Sequence, residues 1–267
     1  MPELPEVETI ARTLKPQLEG RTILSVHLLW KRTLATPSPT AFASRIAGQK
    51  VLDVGRRAKF LHVRLSKDNL FIHLRMSGDL RVEKTRHKPA KHDRLIVDLS
   101  GNKTLVFNDT RKFGRVWLTD DPQDVIGGLG PEPFDPEFTP RILYSRLQAH
   151  RRQIKPLLLD QSFLAGMGNI YTDEALHLAG IHPMVESDKI SLKKAEKLFY
   201  AIRTVLEAGI THNGASIDWV YRGGNFQNYF RVYGRTGEPC PVCRTAIKRI
   251  NVGQRGTHFC PKCQRRI

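Results

Sequence analysis

Two groups of residues in this 267-residue chain carry chemistry by their types and spacing. The first stands at the start, where Met1 is followed by Pro2 and Glu3. A Met-Pro start is a context in which the initiator is usually removed, and its loss leaves the secondary amine of proline at the head of the chain. Such an amine can attack a sugar C1′, and the resulting iminium cannot discharge itself by losing a proton from nitrogen. It remains an electron sink that acidifies the neighbouring C2′ position. The attack needs the neutral amine, whose ordinary pKa at a chain terminus is about 8. Glu3 beside it offers a proton to a departing group. An N-terminal proline is also common without any such role.

The second group is Cys240-Pro-Val-Cys243 and Cys260-Pro-Lys-Cys263, which hold all four cysteines of the chain. Two C-x2-C pairs at this separation match the signature of a tetrahedral four-sulfur zinc site. Four sulfur ligands leave no coordination position open, so one Zn²⁺ here is expected to be structural, completing a core too small to stand alone. Two disulfides are the alternative, and they require an oxidising compartment; redox chemistry at one pair is a third reading.

A weaker pattern lies at Gly166-Met-Gly168-Asn169. Asn169 suits a helix N-cap, Asp173 and Glu174 complement the helix dipole, and the glycines let a bulky anion approach free N–H groups. Arg151, Arg152 and Lys155 could neutralise phosphates nearby. An ordinary helical hairpin accounts for the same spacing.

The elements that must position these residues fall into stretches of different texture. Val7, Ile10, Ala11, Leu14 and Leu18 share one face of a helix, with Pro5 in its first turn and Gly20 near its end. Strand-like runs follow at 22–30, 59–65, 70–76, 94–99, 103–107 and 115–118, with Ser100-Gly101-Asn102 as a turn. Many short strands at this spacing suggest a β-sandwich or barrel. Residues 127–140 are rich in Gly and Pro and read as a linker. Helical patterns then occupy 141–150, 154–160, 170–179 and 191–208, before short strands return beside the cysteines.

Composition narrows the setting. A 40% hydrophobic and 26% charged chain is ordinary for a soluble protein, and no apolar run approaches the ~18 residues of a membrane span. The acidic N-terminus is unlike a signal peptide, so a cytosolic protein is expected. The net charge of +17 attracts polyanions, nucleic acid first, although a merely basic protein satisfies it too. Its distribution favours nucleic acid: residues 231–267 hold nine Lys or Arg against Glu238 alone.

At its start, Met1-Pro-Glu-Leu-Pro-Glu-Val-Glu-Thr9, the chain resembles the formamidopyrimidine-DNA glycosylases. The resemblance continues through Arg56-Arg-Ala-Lys-Phe60, His73-Leu-Arg-Met-Ser-Gly78, Lys91-His-Asp93, Arg111-Lys-Phe-Gly114, Gly130-Pro-Glu-Pro133, Gly166-Met-Gly-Asn-Ile-Tyr171, Val232-Tyr-Gly-Arg235 and the terminal cysteines. It spans nearly the whole chain in order. It implies an α+β protein of two domains: an N-terminal β-sandwich with an N-terminal helix, then a helix-two-turn-helix bundle with a four-cysteine zinc-ribbon β-hairpin. The expected boundaries are 1–130 for the catalytic part, 131–230 for the helical DNA-binding part and 231–267 for the zinc finger.

The activity implied is bifunctional: excision of oxidised purines (8-oxoguanine, formamidopyrimidines) from damaged double-stranded DNA in base excision repair, then β,δ-elimination at the abasic site. The resemblance makes Pro2 the Schiff-base nucleophile and Glu3 the general acid. Glu6 would fix the local architecture and aid proton transfer, with a plain helix-start carboxylate as the other reading. Lys59 would contact the lesion or its phosphate and donate a proton in β-elimination; Arg255 would clamp the phosphates of the flipped nucleotide and assist δ-elimination. Met76, Arg111 and Phe113 match residues that wedge into the duplex once a base is extruded; core packing is the other reading for Met76 and Phe113. His73, His92, Arg151 and Asn169 match phosphate contacts. Residues 214–230 lie where the family carries the loop that closes over the extruded base, shorter here by several residues. The expected protein is a monomer, cytoplasmic and associated with the bacterial nucleoid. Competing readings are an endonuclease VIII-like glycosylase for oxidised pyrimidines, a non-enzymatic zinc-finger DNA-binding protein, and N-terminal-proline tautomerase chemistry.

Overall fold

The computed structural model describes residues 1–84, 87–216 and 223–266. They form two compact units, one built on Met1–Gly128, the other on Leu129–Ala215 with the chain from Gly224 onward. Among the described residues no helix is long and apolar enough to cross a membrane.

The first unit opens with α1 (Leu4–Leu18), followed by β1 (Ile23–Leu28), β2 (Leu34–Thr36), α2 (Pro39–Ile46), β3 (Val51–Arg57), β4 (Phe60–Leu65), β5 (Asn69–His73), β6 (Gly78–Glu83), β7 (Asp93–Leu99), β8 (Lys103–Asp109), β9 (Arg115–Thr119) and the short α3 (Gln123–Ile126). One sheet has the order β1-β7-β8-β6 and the other β2-β9-β5-β4-β3. Leu61, Val63 and Leu65 of one sheet, Leu95, Val97 and Leu99 of the other, and Ile10, Leu14 and Leu18 of α1 share one core. The unit is therefore a β-sandwich sealed by its N-terminal helix. The apolar stripe expected on α1 is buried from Val7 to Leu18. Ser100-Gly101-Asn102 joins β7 to β8, with Gly101 and Asn102 both at positive φ, which short polar residues tolerate best.

The strand expected over 70–76 ends at His73. The backbone turns there because Arg75 adopts φ 54° and donates its N–H to His73 Nδ1, while Gly78 N–H closes back on Leu74 O. Strands β3 and β6 were not anticipated. In β3 the buried Val51 and Val54 are three apart, so no two-residue period marks it; β6 alternates, but Leu80 and Val82 are its only apolar side chains, too short a run to stand out.

The second unit contains α4 (Pro140–Gln148), α5 (Ile154–Leu159), α6 (Asn169–Ala179), α7 (Leu192–Thr211) and the hairpin β10 (Lys248–Val252) and β11 (Arg255–Phe259). Two turns join α5 to α6, and α6 packs against α7 and β11. This is the expected helix-two-turn-helix bundle with its ribbon hairpin. Gly253 and Gln254, at φ 54° and 61°, make the two-residue turn between β10 and β11, the left-handed pair that a tight hairpin requires. The helix-start expectation needs one correction: the cap of α6 is Gly168, with Asn169 already the first helical residue.

Candidate functional site

Pro2 is half-buried and leads directly into the cap of α1. Glu3 and Glu6 form a reciprocal capping box: the Glu3 carboxylate accepts the Glu6 N–H, and Glu6 Oε2 accepts the Glu3 N–H at 2.7 Å. Both acids are nearly out of solvent, at 3% and 2% exposure. That satisfies backbone donors a helix start otherwise leaves open. One turn further, Glu8 Oε2 accepts from Arg56 Nε at 2.7 Å, which clamps α1 onto β3. The Arg56 clamp lies three residues before Lys59, in the tight turn Ala58-Lys59 between β3 and β4, where Ala58 has φ 54°.

Lys59 is 5% exposed, unusual for a lysine. Its neighbour Phe60 pairs with His73 across β4 and β5 and meets the imidazole edge-on at 4.8 Å. Burial pushes the His73 pKa down to about 3, with help from the positive charges of Arg75 and Lys59. His73 is therefore a neutral imidazole whose Nδ1 accepts the Arg75 N–H.

The three expected wedge residues are all solvent-facing, with Met76 42% and Phe113 49% exposed. That removes core packing as their explanation. The Arg111 guanidinium lies over the Phe113 ring, 5.0 Å from its centroid. Beneath them is a residue that sequence patterns did not single out, the fully buried Asp109. Its Oδ1 accepts from Ser77 Oγ and from the Arg111 N–H, and its Oδ2 accepts the Gly114 N–H at 2.7 Å. One carboxylate thus ties the loop carrying Met76 to the loop carrying Arg111 and Phe113. Gly114 is forced: a Cβ there would stand 2.3 Å from Phe107 Cζ. His92, partly exposed, borders this region, its carbonyl accepting the Asp109 N–H and its Nδ1 lying 3.4 Å from Arg94 Nη2.

In the second unit the side chain of Gln161 braces the glycine-framed turn. It donates to the carbonyls of Leu159 and Met167 and accepts the Gly166 N–H. Asn169 Nδ2 donates to Gly256 O at 3.1 Å, which ties the start of α6 to the hairpin residue after the exposed Arg255. The same carbonyl accepts from Lys155 Nζ at 3.1 Å. Lys155, expected among phosphate-neutralising groups, is wholly buried and bound to Asp173 Oδ1 at 2.6 Å. An ammonium taken out of water must be paired in this way, so it is not on offer to a ligand. Arg152 is likewise held by Asp160 at 2.9 Å. Arg151 is exposed and faces Glu186 at 3.7 Å.

Asp173 and Glu174 do more than complement a dipole. Asp173 Oδ2 accepts the His258 N–H at 2.8 Å, holding β11. Glu174 accepts three successive backbone N–H groups, from Arg231, Val232 and Tyr233, at 2.8–2.9 Å. Burial outweighs those bonds and raises the Glu174 pKa. The Asp-Glu pair is visible in the sequence, but the backbone donors it binds lie 57 to 85 residues away.

The four cysteine sulfurs lie within 4.8 Å of one another, with Cys240–Cys263 at 3.9 Å and Cys243–Cys260 at 3.4 Å. These spacings rule out two disulfides. They bracket the ~3.8 Å edge of a sulfur tetrahedron around zinc at about 2.3 Å. The thiol acidities diverge: hydrogen bonds from Thr245 bring Cys243 down to about 6, while burial pushes Cys260 and Cys263 up. A dication bound by all four sulfurs relieves that conflict, so the donor set fits one structural zinc. Of the loop expected over 214–230, residues 217–222 lie outside the described residues.

Comparison with known proteins agrees with this arrangement along the whole chain. Residues 1–116 match the formamidopyrimidine-DNA glycosylase N-terminal domain, 129–220 the H2TH domain of the same glycosylases, and 237–266 the zinc finger found in FPG and IleRS. The formamidopyrimidine-DNA glycosylase of Chloroflexus aurantiacus is 49% identical over 274 residues, covering 99% of this chain and 98% of that one. The enzyme of Hahella chejuensis is 43% identical, covering 99% and 100%. Among solved structures, a complex between the Lactococcus lactis Fpg and an abasic site containing DNA superimposes with a TM-score of 0.93 at 35% identity, over 99% of this chain and 100% of that one. A MutM structure in complex with carbocyclic 8-oxo-G containing DNA gives 0.93 at 36%, with the same coverage. A sandwich capped by α1, a helix-two-turn-helix bundle and a four-sulfur zinc centre thus recur together and in order, and the chain belongs to the formamidopyrimidine-DNA glycosylase family.

Proposed function

We propose that this glycosylase is bifunctional, excising oxidised purines from duplex DNA through Pro2 and then cleaving the strand at the abasic site. The observation that carries this reading is the N-terminal end of the first unit. Pro2 enters a helix whose cap is two buried carboxylates, and α1 is clamped by Arg56 close to the turn that holds Lys59. With Met1 in place the Pro2 nitrogen is an amide, so the chemistry starts with removal of Met1. The freed amine attacks C1′, the N-glycosidic bond breaks, and Glu3 supplies a proton as the sugar ring opens. The base leaves with the bond's electron pair, and the sugar remains as an iminium on Pro2. Loss of a C2′ proton then expels the 3′ phosphate in β-elimination, with Lys59 as proton donor. A second elimination expels the 5′ phosphate with the help of Arg255. Glu6 holds the Glu3 backbone in place and assists proton transfer.

Extrusion of the damaged base leaves a gap in the stack, which Met76 and Phe113 fill while Arg111 bonds the orphaned partner base. His73, His92, Arg151 and Asn169 contact phosphates, and the +17 charge draws the polyanion in as a monomer's partner. In the catalytic, helical and zinc-finger parts, 1–130, 131–230 and 231–267, each carries its share of these groups. The zinc supplies no chemistry to the reaction; it holds the hairpin that presents Arg255.

Borohydride reduction during turnover on an 8-oxoguanine duplex is expected to trap a covalent protein–DNA adduct whose peptide map ends at Pro2. No adduct, or a link elsewhere, would refute the mechanism. Excision compared across 8-oxoguanine, formamidopyrimidine and thymine glycol duplexes tests the substrate class, and a preference for thymine glycol sinks it.

A further inference from the structure

One buried side chain beside the four cysteines takes no part in the glycosylase and lyase chemistry. His177 lies in the last turn of α6, 3% exposed, with Nε2 3.4 Å from Cys240 Sγ. Its other ring nitrogen, Nδ1, is buried with no hydrogen-bond partner among the described residues. These two facts favour one position for the ring proton. A metal-bound cysteine is a thiolate with no proton to give, so the contact is a hydrogen bond only if Nε2 carries the proton. That choice leaves Nδ1 as a bare lone pair, and a buried orphan acceptor is better tolerated than a buried orphan N–H. The opposite tautomer would bury an unpaired donor and also turn the Nε2 lone pair toward sulfur. Cys240 is itself fully buried, so water cannot replace the imidazole as donor. Four thiolates around one dication carry an excess of negative charge, and a donor aimed at one sulfur draws that charge off.

We propose that His177 is a positioning residue of the zinc centre: its Nε2–H donates to the Cys240 thiolate, slows metal loss and blunts that sulfur toward electrophiles. The same helix holds Asp173 and Glu174 two turns or less away, which fasten β11 and residues 231–233. The hydrogen bond to Cys240 therefore adds a further tie between α6 and the finger, made to the metal ligand itself.

The test uses the full-length protein with His177→Phe, which keeps ring volume but has no donor, and His177→Gln, which restores an N–H. Zinc transfer to a chromogenic chelator should be about 10-fold faster for His177→Phe, the scale on which partners of metal ligands act, with His177→Gln returning toward wild type. With Co²⁺ in place of zinc, His177→Phe should move the thiolate-to-cobalt charge-transfer band to lower energy, because an unbonded thiolate is easier to oxidise. The ligand-field bands should keep their four-sulfur tetrahedral pattern. Wild-type release rates with an unshifted band in His177→Phe overturn the proposal. So does a His177→Gln variant that matches His177→Phe, since packing alone would then be the cause. Altered ligand-field bands overturn it as well, by making His177 a ligand. If His177→Phe does not fold, the ring ¹⁵N shifts of the wild-type zinc protein decide: a proton on Nε2 supports the proposal and a proton on Nδ1 refutes it.

Discussion

Asp109 offers the sharpest test of how the first unit holds its exposed Met76, Arg111 and Phe113. Changing it to Ala removes the acceptor of the buried Gly114 N–H and of the Ser77 hydroxyl, while the Arg111 N–H keeps Ser77 Oγ. An orphaned buried N–H costs about 1–3 kcal/mol and a lost hydroxyl bond about 1 kcal/mol. With a small cavity added, the Ala variant should lose about 3 kcal/mol. Asn is expected to do less harm. Its amide oxygen can face the Gly114 N–H while its NH2 donates to Ser77 Oγ, so the losses are the second bond of the Arg111 N–H and the acceptor of the Ser77 hydroxyl proton, together about 1–2 kcal/mol. Urea unfolding followed by tryptophan fluorescence gives the stability order, wild type above Asn above Ala. Single-turnover excision from an intact duplex should fall in the same order, because the loops that carry the wedge lose their common anchor. Cleavage of a preformed abasic site in single-stranded DNA, where no base must be extruded, should be nearly unchanged. An Ala variant within about 0.5 kcal/mol of wild type, or an Asn variant as damaged as Ala, would refute the reasoning.

Two further outcomes follow from groups already described. Glu174→Ala strands three adjacent N–H groups at 231–233 and should cost about 3 kcal/mol or more, whereas Glu174→Gln keeps the two bonds to one oxygen and should cost about 1 kcal/mol; amide hydrogen exchange at those residues reads the difference, and equal protection in both variants contradicts it. His73 has a folded-state pKa of about 3, below its unfolded value of 6.5, so between those limits the unfolded chain holds a proton that the folded one lacks. Stability should therefore fall as pH drops through that window, by up to about 1.4 kcal/mol per pH unit from this residue. His73→Gln should flatten the slope, and a variant whose pH dependence equals wild type contradicts the assignment.

Much of this was legible in the chain because the signals are local. The apolar stripe of α1 needs only 3.6-residue periodicity. The Ser100-Gly101-Asn102 turn needs residues that tolerate positive φ. The zinc centre needs two C-x2-C pairs and a hairpin long enough to bring them together. Strand β3 escaped the same logic because its buried residues do not alternate, and β6 because only Leu80 and Val82 mark its inner face.

What tertiary structure alone decided is which polar residues would be buried and with whom. In the sequence Lys155 is one more cation beside Arg151 and Arg152, yet only Lys155 is sealed against Asp173, while Arg151 stays in solvent. Asp109, Glu174 and His177 carry no periodic signature, and each acquires its role from a partner on another element. The Pro2-Glu3 start was plain from composition, but the sharing of one capping box by Glu3 and Glu6 depends on α1 beginning at Leu4. Local patterns follow from backbone geometry over a few residues. A buried charge is placed by the cost of leaving it unpaired, and that cost exists only once the chain has closed around it.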